Sequence, residues 1–164
     1  MQLSSKVAAI LVASLILLPQ TGFAQRRKKT AEQVLLESAN RERAAHGLPP
    51  LKWDETLARA ARQHTLRMAK QNSLSHQFHG EPDLPARAIR AGSRFSVIAE
   101  NVAEGPSAIN IHAQWMKSSH HRANLLDTDL DSVGIAVTER NGQLFAVEDF
   151  SRAAAGSRII SRRR

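Results

Sequence analysis

Three stretches of this 164-residue sequence set groups that can donate, accept or ligate beside apolar residues that would anchor them. The first is "LSHQFH", with His76 and His79. The second is "AENVAEG", which places Glu100 beside Ile98, Ala99 and Val102. The third is "SSHHRANLL", in which His120 and His121 precede Arg122 and Asn124. Glu100 is physically the most demanding of these groups. A carboxylate in an apolar segment must find a hydrogen-bond or charge partner, or its pKa rises. Histidines from other segments would serve as partners. A His–Glu–His set would also suit Zn²⁺ or another divalent ion with a position left for water. No local spacing enforces that set, since the sequence has no H-E-x-x-H and the residues come from distant segments.

Simpler roles compete for each residue. His64 falls on a helix face and is expected to be a half-buried packing residue. His46, next to Gly47, suits a helix C-terminus, where the helix dipole favours a cation. His112 is expected to line a helix surface and His79 to sit in a loop. Arg122 and Asn124 could satisfy carbonyls at a helix end, and Glu100 could accept backbone N–H bonds. Ser75, Ser118 and Ser119 lie near histidines, but there is no nucleophile-elbow motif to activate one of them.

The elements that must position these groups have clear signals. Thr30 and Gln33 are spaced as a capping box, and helical periodicity follows to Gly47. "LPPLKW" is an extended connector, because two prolines cannot sit inside a helix. Asp54 caps a second helix whose buried side would include Leu57, Ala60, Ala61, His64, Leu66 and Met68. After the loop "SLSHQFHGEPDLP" comes a short helix, "ARAIRAG", ended by Gly92. Residues 96–105 form either a short strand or an irregular buried segment. A fourth helix is expected over residues 106–119, with Ser107 as cap, Ile111 and Trp115 inward, and Ile109 or Met116 near the same face. Residues 131–151 hold two alternating β-rich runs joined at Asn141-Gly142, a strong hairpin signal. Helices first and a hairpin last indicate an α+β layered domain, with helices covering an antiparallel sheet.

Lys6, the apolar run at residues 7–18, Pro19, and the small residues Gly22 and Ala24 have the pattern of a signal peptide cut after Ala24. The expected organisation is therefore a signal peptide over 1–24, a basic linker over 25–31, one domain over 32–151, and a basic disordered tail over 152–164. The sequence has no cysteine, which excludes disulfides, thiol catalysis, zinc–thiolate sites and lipid attachment through cysteine. The formal net charge is +8, yet residues 30–151 hold thirteen Lys and Arg against fifteen acidic residues, a balance of −2. The basicity lies in "RRKK" at 26–29 and in the tail. A nucleic-acid-binding domain would show a basic stripe on its folded body, so no nucleic-acid partner is expected. The basic ends could make weak contact with an anionic membrane surface.

Taken together and in order, "NRERAAHGLPPLKWDETLARAARQHTLRMAKQNSLSH", "AENVAEG", "WMKSSHHRANLL", "VGIAV" and "LFAVEDFS" resemble the bacterial branch of the CAP superfamily. That group, also called SCP-like, is named for cysteine-rich secretory proteins, antigen 5 and pathogenesis-related 1. The resemblance implies an α-β-α sandwich with a central antiparallel sheet and a surface cleft of histidines and acidic residues. His76 matches the histidine ending the family's L-S-H stretch. Glu100 and Asn101 match its G-E-N motif, with Ala99 in place of the glycine. His121 matches the histidine of the S-x-G-H-R-x-N-I-L motif, followed by Arg122 and Asn124, with His120 in place of its glycine. Glu148 and Asp149 lie where the closing strand commonly has glutamine, and strand alternation would let only one of them face the cleft. The second histidine and the disulfides of eukaryotic members have no counterpart.

The implied function is that of a secreted or periplasmic monomeric binding module. Its cleft (His76, Glu100, Asn101, His121, Arg122 and Asn124) would hold a divalent metal such as zinc, or a lipid, sterol or cell-wall ligand. The metal would be held by His76, His121 and Glu100. A metal-assisted hydrolase with Glu100 as general base is the alternative, and a structural or adhesion module is a further one.

Overall fold

The computed structural model describes residues 29–154. The proposed signal peptide, most of the basic linker and the tail from 155 onward lie outside the described residues. Helix α1 spans Ala31–Ala45 and has the expected capping box, with Gln33 N–H donating to the Thr30 side chain and Thr30 N–H to the Gln33 side chain. Asp54 caps α2 (Glu55–Gln71) by accepting from the Thr56 and Leu57 amides, the bonds that a helix start leaves unmade. Most of the inward side of α2 is as expected, and Ala58, Thr65 and Ala69 join it. Leu66 does not, being 55% exposed, because it falls on the opposite side of the helical wheel. Helix α3 (Leu84–Arg90) starts before "ARAIRAG", since Asp83 caps it and Pro85 fits its first turn.

The expected fourth helix proves to be two. Helix α4 (Ala108–Lys117) buries Ile111 and Trp115, with Met116 packed on the core and Ile109 left 71% exposed. Ser118 then adopts an extended backbone and starts a separate helix, α5 (Ser119–Leu125). "SSHHRANLL" is therefore a short helix of its own, from its N-cap Ser118 to its C-cap Leu126, and not the end of α4.

Four strands form one sheet: β1 (Lys52–Trp53), β2 (Phe95–Gly105), β3 (Ser132–Arg140) and β4 (Gln143–Ala153), in the order β1-β3-β4-β2. Residues 96–105 are thus a strand. Strands β3, β4 and β2 pair antiparallel, as expected. The connector "LPPLKW" adds β1, which pairs parallel to β3 and makes the sheet mixed. Asn141 and Gly142 both have positive φ, the conformation that a tight hairpin between twisted strands requires. Strand β4 continues past the expected domain end to Ala153, and Arg152 pairs with Asp129 at 2.6 Å.

The sheet separates two helical layers. On one face Ala103, Ile135, Ala146 and Phe150 pack with Leu35, Ile111 and Trp115, under α1, α4 and α5. On the other, Val102, Ala136, Phe145 and Val147 pack with Ala61 and Met68, under α2. The architecture is the expected α+β sandwich of helices, sheet and helices. Gly134 lets α2 lie close on β3, since a Cβ there would stand 2.0 Å from the Ala58 nitrogen.

Candidate functional site

Strand β2 is an edge strand, and its alternation sends consecutive residues to opposite layers. Glu100, like Val102, faces α2 and α3. Asn101, like Ala103, faces α4 and α5. The expected cleft residues therefore reach the sheet edge from both sides.

On the α2–α3 side, Glu100 is 6% exposed. Its Oε1 bonds His76 Nδ1 at 2.8 Å, and its Oε2 accepts from Arg87. Arg87 is itself buried and donates to the carbonyls of His76 and Pro82, so one guanidinium fixes both the carboxylate and the loop that presents His76. His64 braces the same loop. Its ring is fully buried, not half-buried, with Nε2 donating to the Ser75 carbonyl at 2.7 Å and Nδ1 bonded to Glu81 at 2.8 Å. Glu81 also accepts from the Phe78 amide. A packing position read from helical periodicity is thus a polar brace.

On the α5 side, Asn101 donates to the His121 carbonyl at 3.1 Å and accepts from Asn124 at 2.9 Å. Asn124 also donates to the Glu100 carbonyl. These bonds clamp the first turns of α5 to β2 and bring the half-buried His121 into the electrostatic range of His76. Arg122 lies on α5 and makes no hydrogen bond to this cluster. His79 is a turn residue, and His46 caps α1, its ring donating to the Glu42 carbonyl. His112 packs between α1 and α4 with Nε2 3.9 Å from Glu42, and burial lowers its pKa.

Protonation differs sharply across the site. Burial opposes ionisation of Glu100, but the His76 bond and the charges of Arg87 and His64 outweigh it and hold its pKa below the usual value. The same bond raises the pKa of His76. Burial, then the neighbouring His120 and His76, lowers that of His121. One imidazole favours its cation and the other its neutral form, with a free lone pair.

Glu148 and Asp149 are both fully buried, on opposite faces of β4. Asp149 pairs in register with Glu100 and lies on its side, while Glu148 pairs with Asn101 and lies on the other. Alternation does admit only one of them to the Glu100 side. Neither makes a hydrogen bond of good geometry. Burial raises the pKa of Asp149 well above the ordinary value, and the nearby Glu100 charge adds to the effect. Burial raises Glu148 to about 8. Two adjacent carboxyls with opposed shifts can hold one proton between them, with Asp149 protonated and Glu100 ionised.

The residues fit a metal only in part. Both Glu100 oxygens are engaged, and among the described residues no group of three or more His, Cys, Asp or Glu could hold a metal ion. Glu100 stands behind His76 as its orienting carboxylate, an arrangement common behind ligating histidines. The motif reading missed Arg87, His64 and Glu81. For His64 and Arg87 the signal was polarity at inward helical positions; Glu81, in the loop before α3, had none.

A helix–sheet–helix sandwich with a histidine–carboxylate pair at an open sheet edge defines a class of domain, and comparison with known proteins places it. The family profile described as "Cysteine-rich secretory protein family", CAP, matches residues 36–150, and the chain belongs to that family. It is 32% identical over 111 residues to the Bacillus subtilis protein YkwD, a match spanning 66% of this chain and 42% of that one. A second B. subtilis protein, the membrane protein YlbC, is 31% identical over 115 residues, 68% of this chain and 32% of that one. The chain thus spans less than half the length of these curated relatives. Among solved structures, an extracellular SCP-domain protein from Bacillus anthracis superposes with a TM-score of 0.70 at 28% identity, covering 74% of this chain and 40% of that one. An outer surface protein of Borrelia burgdorferi shares the fold, with a TM-score of 0.70 at 19% identity, covering 76% of this chain and 93% of that one. Among the described residues, no helix is long and apolar enough to cross a membrane.

Proposed function

We propose that this is an exported CAP-domain binding module whose ligand site is the sheet edge between His76 and His121. One observation carries the reading. Buried Glu100 holds the Nδ1 edge of a His76 side chain that is itself 56% exposed, which leaves Nε2 free at the surface. A carboxylate behind a histidine fixes its tautomer and strengthens it as a ligand or acceptor. His121 opposite favours its neutral form, so a divalent cation such as zinc would have to displace only the Nε2 proton of His76, and with that proton kept the edge suits a polar cell-wall or lipid headgroup. His76 and His121 would contact a metal, and Glu100 would only orient His76. Export accords with the signal-peptide pattern and with relatives described as extracellular or outer-surface proteins. The hydrolase alternative is weaker, because a carboxylate held ionised by Arg87 and His76 is a poor general base.

The test is zinc titration by calorimetry of the native protein and of His76→Ala and His121→Ala, each first shown to be folded by circular dichroism. One-site binding lost in both variants supports the reading. No binding, or equal binding by all three, refutes the metal site. Failure of cell-wall fragments and lipid vesicles as well would leave a structural module.

A further inference from the structure

A polar cavity of about 230 Å³ lies between α2 and α3 beyond Arg87. It is lined by Gln63, Arg67, Glu81, Pro82, Arg87 and Arg90. Gln63 and Arg67 are one turn apart on α2, and Arg87 and Arg90 share a face of α3, so both helices turn polar groups to the same space. Two of these donors are orphaned: Arg67 Nη1 and Arg87 Nε are buried and have no hydrogen-bond partner. Unpaired buried N–H groups of a cation are costly and rare in folded proteins. The one carboxylate in the wall, Glu81, does not satisfy them: its Oε1 bonds His64, its Oε2 accepts from the Phe78 amide, and neither bonds an arginine. Among the described residues, neither Arg67 nor Arg90 makes an ion pair. Of the three guanidiniums in the wall, Arg87 is paired with Glu100, and Arg67 and Arg90 have no carboxylate partner among the described residues.

We infer that this cavity binds a phosphate group. Guanidinium forks match phosphate oxygens with paired, charge-assisted N–H bonds, and here such forks converge from two helices. At about 30 Å³ per water, the space takes a phosphate together with the start of an ester substituent. The cavity is distinct from the His76–His121 edge but shares a residue with it. Arg87 touches both, with one nitrogen on Glu100 and Nε on the cavity.

Inorganic phosphate is titrated into the full chain at constant ionic strength, with native protein beside Arg67→Gln and Arg90→Gln. Arg87 is kept because it anchors Glu100. Thermal melts without phosphate establish that the variants fold. The expected result is saturable binding with Kd below about 1 mM, weakened about tenfold or more in each variant. Competition by phosphatidate vesicles, but not by phosphatidylcholine vesicles, would assign the phosphate to a lipid headgroup. Saturation by phosphate without such competition would assign a soluble phosphate ester. No saturation, or equal binding by native protein and variants, overturns the inference.

Discussion

Replacing Glu148 with glutamine should stabilise the fold at alkaline pH and change it little near about pH 5. Glu148 is fully buried on the α4–α5 face, with Asn101 beside it and no hydrogen bond of good geometry to its oxygens. Burial raises its pKa from 4.5 to about 8. The folded state therefore keeps a proton that the unfolded chain has already released. Where the folded state binds more protons, stability falls as pH rises. The contribution is complete below the unfolded value of 4.5, declines through the window, and is gone above about 8. At about 1.36 kcal/mol per pH unit, the upper bound is roughly 5 kcal/mol. Local opening that admits water to the carboxylate reduces it, so about 2–4 kcal/mol is expected. Glutamine is neutral at every pH and nearly the same shape. Urea unfolding of native and Glu148→Gln protein at intervals from about pH 5 to 9 checks this, and the difference cancels every other titrating group. A difference that stays flat across the range would refute a buried neutral Glu148.

Two further outcomes follow from the packing and the ion pair. Gly134→Ala should cost about 3 kcal/mol or more, because its Cβ would meet the backbone of α2 at Ala58 and Leu57; a melting temperature within a few degrees of native would contradict this close approach. Glu100→Gln removes the partner of Arg87 and His76, so it should destabilise by about 3 kcal/mol and lower the His76 pKa in an NMR titration. The native His76 contribution is present below its unfolded pKa of 6.5 and lost as pH rises through the higher folded value, while that of Glu100 is present above 4.5 and lost as pH falls through its lower folded value, so the loss should be greatest between 4.5 and 6.5. An unchanged His76 titration would dissociate it from Glu100.

The sequence by itself determined the local structure and the family. Caps at Thr30, Asp54 and Ser107, the period of α2, and Asn141-Gly142 act through bonds between near neighbours, so their outcome is written locally. The motif order led to the CAP family and selected His76 and His121 among the histidines, whereas Glu100 already stood out as a carboxylate in an apolar segment. Where the chain divided its polar groups was not legible. Helical periodicity marks His64 as inward but not that Glu81 and Ser75 will meet it there. Ser118 ends one helix and starts another because its extended backbone turns α5 onto β2, where Asn101 and Asn124 hold it. Above all, the register of β2 against β4 decided that Glu100 faces Arg87 and Asp149 while Asn101 faces Glu148. One residue of slip would exchange those faces. Register is fixed by packing on both sides of the sheet at once, and that is a property of the assembled layers rather than of any single segment.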